Sequence, residues 1–415
     1  MHIAVIGTGI SGMVAAYLLN QEHEVTVFEA KDRIGGHTHT IDVALNGRTY
    51  AVDTGFIVFN EKTYPNFLRL MRRLGVAWQN SEMSFSVKCG RTGLEFRPST
   101  LSTLFVQRKN LVRPAFYRML TDLFRFKKEA QELLLSDVGY QKTLDAFLRE
   151  KSYSSWFVDY FIVPMGSAIW SASPDAFREF PARYFTEFFE NHGFLNIRDQ
   201  PQWLVLKGGS RQYIEPLTRG YRHRIRLKCP VREIRRTSDG VLLQADGVDP
   251  EQFDRVVLAT HSDQALKILA DPTDAERDIL GRIAYEENQT ILHTDHTVLP
   301  RHRKAWASWN YYIPREDQRR VAVTYDMNIL QSLDAEEEFC VSLNMADVID
   351  REKIITELTY HHPVYTPDSL AARKRRHEIN GQNQTFYCGA YWYFGFHEDG
   401  VKSALDVGRM FGIDF

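Results

Sequence analysis

The first 29 residues constrain the fold of this chain more than any other segment. Ile3–Ile6 is a short apolar run that predicts a buried parallel strand, and Gly-Thr-Gly-Ile-Ser-Gly follows it at once. Met13–Leu19 predicts a helix, and Glu24–Glu29 predicts a second strand that ends in an acid. This order of strand, glycine turn, helix, strand and acid predicts a dinucleotide-binding unit.

The residue types of this unit suit a dinucleotide. Gly7 permits the tight turn, Gly9 lets backbone approach a pyrophosphate, and Gly12 lets the helix lie close to the strand. The helix N-terminus around Ser11 offers free N–H groups and a positive dipole end to phosphates. Glu29 can accept hydrogen bonds from ribose hydroxyls, so these five residues are predicted to bind the cofactor.

An Arg-x-Gly-Gly turn follows the second strand directly, and it is formed by Arg33, Gly35, Gly36, His37 and Thr38. This turn after a glutamate resembles the flavin-containing amine oxidase and phytoene desaturase-like superfamily. The resemblance implies that the cofactor is FAD, and that these five residues lie close to its phosphates and flavin.

Later segments resemble further elements of the same family, in the family's order. Asp53–Phe56 resembles a stretch that passes near the isoalloxazine, and Pro230–Ile234 resembles a strand whose valine backbone faces the adenine. Phe253–Thr260 is another buried strand that ends in small residues. The resemblance implies cofactor contacts from Gly55, Phe56, Val231, Ala259 and Gly389.

The C-terminal residues resemble the family's closing element. The sequence predicts that the last helix opens with Asp399 as its cap and with Gly400 and Val401 in its first turn. The N–H groups there can bind the flavin O2 edge, and the positive helix end stabilises reduced flavin. A simple nicotinamide enzyme has no use for this return, which is the main argument for FAD. Ala390 replaces an acid that the family often carries.

The endings Cys-Gly-Ala-Tyr-Trp and Gly-Phe-His-Glu-Asp-Gly resemble one branch of this superfamily. That branch comprises FAD-dependent oxidoreductases found with cyclopropane-fatty-acid-synthase-like methyltransferases. The resemblance implies dehydrogenation of an unsaturated or methyl-branched fatty acyl chain, and a lipid methyltransferase as a partner. Two alternatives stay open: a flavin amine oxidase that acts on a small amine, and an FAD-containing subunit that only supports a methyltransferase.

Dehydrogenation needs a base besides the hydride acceptor. We expect His397 to be that acid or base, because histidine titrates near neutral pH. Glu398 is the second catalytic candidate. The alternatives are that His397 only shapes the pocket and that Glu398 is an exposed acid at a helix start.

The motifs divide the chain into an α/β, Rossmann-like FAD-binding domain of the glutathione-reductase type and an inserted α+β substrate domain. The FAD-binding domain is predicted from 1–75, 200–285 and 380–415. The substrate domain is predicted from 76–199 and 286–379.

The segment 97–134 of the substrate domain is basic and mostly helical, although Pro114 interrupts it. Eight basic residues and one acid lie between residues 97 and 128, with apolar residues between them. Such a segment can lie on an anionic bilayer surface, and the alternative is a helix packed on the domain with a solvated basic face.

Composition excludes several classes of partner and site. Lys and Arg number 51 and Asp and Glu 53, so the net charge of −2 gives no field that favours nucleic acid. The four cysteines form no metal-ligand spacing, so no metal is predicted. The N-terminus does not resemble a signal peptide, and we expect a cytoplasmic protein that is peripheral at the inner membrane surface at most.

Overall fold

The structure is a computed structural model that describes residues 1–136, 140–193, 201–316 and 320–414. Its strands are β1 His2–Ile6, β2 Glu24–Phe28, β3 Thr40–Leu45, β4 Arg48–Asp53, β5 Val58–Asn60, β6 Trp78–Ser81, β7 Phe85–Cys89, β8 Glu95–Phe96, β9 Trp203–Leu206, β10 Ile225–Arg226, β11 Val231–Thr237, β12 Gly240–Ala245, β13 Glu251–Phe253, β14 Arg255–Leu258, β15 Tyr285–His293, β16 Trp309–Ile313, β17 Val323–Asp326, β18 Cys340–Leu343, β19 Ile354–Pro363 and β20 Thr385–Tyr387.

The α-helices alternate with these strands in the first and last parts of the chain and cluster between β8 and β9. They are α1 Ile10–Leu19, α2 Pro65–Leu74, α3 Leu101–Leu104, α4 Pro114–Leu135, α5 Leu144–Glu150, α6 Ser155–Phe157, α7 Val163–Trp170, α8 Pro174–Arg178, α9 Ala182–Asn191, α10 Ile214–Thr218, α11 Ser262–Ile268, α12 Asp274–Gly281, α13 Met327–Gln331, α14 Pro367–Lys374 and α15 His397–Met410.

The first sheet is parallel and holds the nucleotide motif. Its strand order is β10-β2-β1-β14-β20, and every neighbouring pair is parallel. The apolar residues of β1 and β2 are buried on both faces, because one face packs on α1 and α15 and the other packs on β11, β12 and β13. The predicted α/β fold with a Rossmann-like sheet is therefore confirmed.

The second large sheet has the order β19-β15-β18-β17-β16-β7-β8 and is antiparallel except between β7 and β16. Its longest pairing joins β15 to β19 along their whole length. A smaller sheet, β5-β9-β6, joins strands from before and after the helical cluster.

The division into two discontinuous domains stays a prediction. In its favour, the first sheet takes strands only from the segments predicted for the FAD-binding domain. The predicted boundary between residues 199 and 200 lies outside the described residues.

Pro114 begins a helix instead of interrupting one. The predicted helical segment contains α3, a 3-10 turn at Arg108–Val112, and then α4, whose first residue is Pro114. Proline suits a first helical position because its missing N–H has no intrahelical partner there. The inner face of α4 buries Phe116, Met119 and Phe126 in an aromatic core that is shared with α6, α7 and α9.

Candidate active site

One large cavity is lined by residues of both large sheets and of the helical cluster, and its volume is about 1380 Å³. We call the lining residues from 6–37 and 229–268 the nucleotide wall, and those from 83–127 and 161–203 the substrate wall. Single small-molecule pockets hold roughly 300–1,000 Å³, so this volume leaves room for a dinucleotide and a second molecule.

The glycines of the first turn are placed where backbone must come close to backbone or to a ligand. Gly7 has a φ of +102°, and a Cβ on Gly12 would clash with the carbonyl oxygen of Gly7. A Cβ on Gly9 would meet nothing within 4 Å. Gly36 packs close to Gly9, because a Cβ on Gly36 would lie 2.9 Å from the Cα of Gly9. Gly9 and Ser11 line the cavity, so the open space beside Gly9 faces it.

Glu29 lies at the end of β2 on the nucleotide wall and is 8% exposed. Its carboxylate accepts hydrogen bonds from the backbone N and Oγ1 of Thr8, at 2.9 and 2.5 Å, and from the backbone N of Lys31 at 2.9 Å. The carboxylate therefore fastens the first turn to the second strand. The predicted bond to a ribose hydroxyl stays a prediction.

Arg33 holds the second glycine turn from outside the cavity. Its guanidinium donates to the carbonyl oxygens of Gly36 at 2.8 Å and Thr38 at 3.2 Å. Position 35 requires glycine for two reasons. Its φ is +131°, and a Cβ there would clash with the carbonyl oxygen of Thr38. Gly36 and the next residue, His37, line the cavity, whereas Arg33, Gly35 and Thr38 do not.

His37 is half-buried, and its buried Nε2 atom has no hydrogen-bond partner among the described residues. Its ring stacks on Tyr360 at 4.9 Å between centroids. Burial, together with the nearby His362 and His261, lowers the pKa of His37 well below its ordinary value. The imidazole is therefore neutral, and it leaves a polar atom at the cavity that a ligand can satisfy.

His397 lines the cavity and stacks on Phe56, with ring centroids 3.6 Å apart and planes 9° from parallel. Its Nε2 lies 3.0 Å from Thr38 Oγ1 and 3.3 Å from the hydroxyl of Tyr213. These contacts bring together Thr38, Phe56 and His397, which the sequence predicted separately. Gly55, next to Phe56, also lines the cavity.

The expectation that His397 titrates near neutral pH is wrong. Burial lowers its pKa from 6.5 to about 3. The ring sits between Phe56 and the hydroxyls of Thr38 and Tyr213, and desolvation is the cause of the shift. His397 is therefore a neutral imidazole at neutral pH, and its role as acid or base stays a prediction.

Glu398 is not among the residues that line the cavity. Its Oε1 accepts from the backbone N of Asn66 at 3.1 Å and from Nδ2 of the same residue at 2.5 Å, and its Oε2 accepts from the backbone N of Phe67 at 2.9 Å. Those N–H groups belong to the first turn of α2, so the carboxylate satisfies an open helix terminus. Glu398 is 8% exposed, so the alternative of an exposed acid is wrong as well.

The N-cap of the last helix is Phe396, three residues before the predicted cap Asp399. α15 starts at His397, and Asp399 lies in its first turn, where its carboxylate accepts from the backbone N of Phe396 at 2.9 Å. The N–H of Gly400 already donates to the carbonyl oxygen of Phe396 at 3.1 Å. The free N–H groups are therefore those of residues 397–399, ahead of Gly400 and Val401.

Gly400 and Val401 instead allow α15 to pack on α1. A Cβ on Gly400 would lie 2.6 Å from Cγ2 of Ile10 and 2.9 Å from Oγ of Ser11. Val401 is fully buried in the core between these helices. Burial raises the pKa of Asp399 to about 7. Because Gly400 lies against Ile10 and Ser11, the N-termini of α1 and α15 lie side by side at the cavity.

Three predicted cofactor contacts from later strands lie on the cavity, namely Val231, Ala259 and Gly389. Val231 begins β11, Ala259 follows β14, and Gly389 follows β20. Parallel strands end at one edge of a sheet, which is why β14 and β20 deliver Ala259 and Gly389 beside the first turn.

The substrate wall is apolar and aromatic. Side chains from α4, α7 and α9, from the π-helix Val158–Ile162 and from β7 and β9 form one surface. Its apolar members are Met83, Phe85, Leu123, Phe126, Phe161, Ile162, Met165, Ile169, Trp170, Phe188, Phe189 and Trp203. Glu29 is the only acid among all described residues that line the cavity, and it belongs to the nucleotide wall.

The sequence analysis placed Asp53 in a stretch that resembles a cofactor-contacting element, but it indicated none of the buried polar contacts of this residue. Asp53 accepts hydrogen bonds from Thr40 Oγ1 at 2.6 Å, from the backbone N of Ser210 at 2.9 Å and from Gln331 Nε2 at 3.1 Å. Burial raises the pKa of Asp53 to about 6. These partners lie up to 278 residues from Asp53 in the chain, so no local pattern indicates the network.

The nucleotide wall fits a bound dinucleotide on three observations. The space beside Gly9 is open, the N-cap residue of α1 makes no side-chain capping bond, and Nε2 of His37 is buried without a partner. A helix start without a cap offers its N–H groups to phosphate. These features are suited to a site that binds a dinucleotide through its phosphates.

Comparison with known families identifies the cofactor. A model of the family described as flavin containing amine oxidoreductase matches residues 10–332, well over half of the chain. The chain therefore belongs to the flavin-containing amine oxidoreductase family. It is an FAD-dependent oxidoreductase, and the predictions of FAD and of an oxidoreductase are confirmed.

Known relatives are similar over parts of their length. Protoporphyrinogen oxidase 2 of Arabidopsis thaliana is 29% identical over 179 residues, which are 42% of this chain and 34% of that protein. The flavin-containing amine oxidase A of Sus scrofa is 23% identical over 262 residues, which are 59% of this chain and 46% of that protein. The matched regions span less than half of these relatives.

Solved structures of similar fold cover nearly the whole chain. Cyclohexylamine oxidase from Brevibacterium oxydans IH-35A has a TM-score of 0.70 at 17% identity, with 99% of each chain covered. A CLA-producing fatty acid isomerase from P. acnes has a TM-score of 0.70 at 18% identity, with 99% of this chain and 98% of that chain covered. At these identities the likeness concerns the fold alone.

Proposed function

We propose that this oxidoreductase dehydrogenates an unsaturated or methyl-branched fatty acyl chain. The observation that carries the proposal is the substrate wall, which is mostly apolar and has no acid among its described residues. A protonated amine would lose its hydration in such a wall without gaining a carboxylate partner, whereas an acyl chain gains by leaving water. The fatty acid isomerase of similar fold is consistent with this substrate class.

FAD, when bound, would supply the hydride acceptor, and the chain's own residues would bind and orient the substrate carbon. The aromatic substrate wall excludes water and holds the acyl chain by dispersion and burial. Dehydrogenation also releases a proton from the neighbouring carbon, which needs an unprotonated acceptor. His397 is neutral and lines the cavity, so it stays our first candidate, ahead of Glu398, whose oxygens are engaged by α2.

Anaerobic mixing tests this proposal. Purified protein with its FAD is mixed with linoleate, with a methyl-branched fatty acid, and with cyclohexylamine and putrescine in separate experiments. We expect the visible flavin absorption to bleach with an acyl substrate and not with the amines. Bleaching by an amine alone would establish the amine oxidase alternative, for which family membership is the supporting observation.

A subunit role is the third candidate, and the lipid methyltransferase partner stays a prediction from the resemblance. Flavin that no substrate reduces, together with a stable complex with a methyltransferase, would favour this role over an enzyme. The cytoplasmic location also stays a prediction. Within the described ranges, no helix combines the length and the apolar character needed to cross a bilayer.

We propose further that the segment 97–134 touches an anionic bilayer surface. Five large apolar side chains in it are exposed, among them Val112 at 83% and Phe124 at 61%. The basic residues Arg108, Lys109 and Arg118 are exposed beside them. An exposed apolar patch with basic neighbours is suited to an anionic lipid surface.

Vesicle sedimentation tests this surface. We expect binding to vesicles with phosphatidylserine, less binding to pure phosphatidylcholine vesicles, and a loss when Val112 and Phe124 are both replaced by Ser. Equal binding of the double variant and the unaltered protein would contradict the proposal.

A further inference from the structure

The substrate wall contains one half-buried cation whose charge is not balanced. Lys127 lines the cavity from α4, one turn after Leu123 and next to Phe126. Within the described parts of the chain, no hydrogen bond or ion pair engages its ammonium group, and burial alone lowers its pKa. Removing a lysine from water without a partner is unfavourable, which favours a ligand that supplies the missing anion.

The other cation of this wall does not have the same freedom. Arg97 is ion-paired with Glu82, and it donates to the carbonyl oxygen of Trp306 at 2.7 Å and to Oγ of Ser99 at 3.1 Å. Lys128 is the next residue along α4, and its side chain is 80% exposed. Its Nζ lies 3.9 Å from Oε1 of Glu132. Among the described residues of the substrate wall, Lys127 is therefore the cation whose charge is available to a bound molecule.

We propose that Lys127 binds the anionic head of the substrate, so that the substrate is an acyl chain that carries a free carboxylate or a phosphate. This inference rests on the proposed function and narrows it to amphiphiles with a negative end. The apolar side chains beside Lys127 contact the chain, and the ammonium group donates to the head group. An uncharged ester of the same chain lacks the second interaction.

Binding of chains that cannot be oxidised tests this assignment apart from turnover. The FAD-containing protein is titrated by flow dialysis, below micelle formation, with palmitate, methyl palmitate and 1-palmitoyl-lysophosphatidate. A charged hydrogen bond to a partly buried group corresponds to a Kd change of about tenfold. We expect Lys127→Met to weaken binding of palmitate by that factor, to leave methyl palmitate within about twofold, and Lys127→Arg to restore palmitate binding.

Lys128→Met is the matched control, because it removes a charge from the same helix outside the cavity. We expect unchanged binding of all three ligands to this variant. A loss confined to lysophosphatidate would support the assignment with phosphate as the head group. The assignment is overturned if Lys127→Met binds both anions as the unaltered protein does, or if it loses the ester as much as the acids.

The experiment separates this inference from the proposed function. A Lys127 effect on palmitate without any bleaching of flavin by acyl substrates would refute dehydrogenation and keep the anion site. FAD content, measured by visible absorption, must be equal in all variants. Lys127→Gln, which keeps a polar side chain, replaces the Met variant if that variant loses FAD.

Discussion

The two walls of the cavity are built in different ways. The nucleotide wall consists of backbone at glycines, helix starts and strand ends within short stretches of chain, such as Gly7 to Glu29. The substrate wall consists of side chains from separate helices, such as Phe126, Ile169 and Phe188. The first wall recognises a fixed cofactor through geometry that few sequences satisfy, and the second accommodates a substrate through shape and apolar area.

The comparison predicts that the walls are separable. Substitutions in the nucleotide wall should remove FAD whatever the substrate, and substitutions in the substrate wall should change the substrate while FAD stays bound.

Gly12→Ala is expected to have the largest effect. The added Cβ clashes with the carbonyl oxygen of Gly7, which lies in rigid backbone, so FAD binding should weaken by about 3 kcal/mol. FAD released on denaturation of the purified variant measures this loss. Gly281→Ala is the control, because its Cβ meets only Leu266 at 3.7 Å, and it should keep full FAD. A full FAD content in the Gly12→Ala variant would contradict the role of the Gly7–Gly12 turn in FAD binding.

Ile169→Asp is expected to act on the substrate wall alone. A carboxylate in this apolar wall should weaken acyl binding by about 2 kcal/mol or more and leave FAD content unchanged. Acyl-chain affinity and flavin absorption are measured on the same sample. Ile169→Val, which stays apolar, should bind the acyl chain nearly as the unaltered protein does. A parallel loss of FAD in the Asp variant would show that the walls are not separable.

His397 lines the cavity outside both walls, in contact with Phe56 and Thr38, and its burial predicts acid sensitivity. Its pKa is lowered from 6.5 to about 3, so the stability it contributes is complete above pH 6.5 and is lost as pH falls toward 3. At pH 5 the loss is about 2 kcal/mol relative to pH 8.

His397→Phe should remove that pH-dependent difference while it keeps a ring against Phe56. Urea unfolding at pH 8 and pH 5 measures it. The exposed His223→Phe variant should behave as the unaltered protein. An identical loss between the two pH values in His397→Phe and in the unaltered protein would contradict this account of His397.

Glu29→Gln is expected to have the smallest effect, a loss of about 1 kcal/mol in FAD affinity. The amide keeps one acceptor oxygen and cannot hold both Thr8 and Lys31 as the carboxylate does. Titration of FAD into protein freed of cofactor measures the loss. Glu24→Gln, at the exposed start of the same strand, should bind FAD normally. A greater loss in Glu24→Gln would reverse the assignment.

The contrast between the walls also explains what the sequence could predict. Gly7, Gly9 and Glu29 were predicted because their spacing within one short unit encodes both the turn and its neighbours. The sequence pattern places the cap of α15 three residues too late, because Asp399 is a typical cap residue, whereas the N-cap is Phe396 and Asp399 accepts from its backbone N. Helix ends are the least certain feature of a sequence pattern.

The rest of the site depends on contacts between distant segments. The lowered pKa of His397 follows from desolvation by residues such as Phe56, more than 300 positions away in the chain. Contacts between distant segments also hold Glu398 at the N-terminus of α2 and form the substrate wall. Such tertiary burial leaves no local periodic signal, so the substrate class was available only from resemblance.

A spectral titration tests most directly whether FAD and an apolar chain share this cavity. The FAD-containing protein is titrated with palmitate, which cannot be dehydrogenated at an allylic position, while the visible flavin spectrum and bound palmitate are followed together. We predict a saturable shift of the flavin bands that follows palmitate occupancy and is lost in Ile169→Asp. Binding of palmitate without any change in the flavin spectrum would contradict a shared cavity.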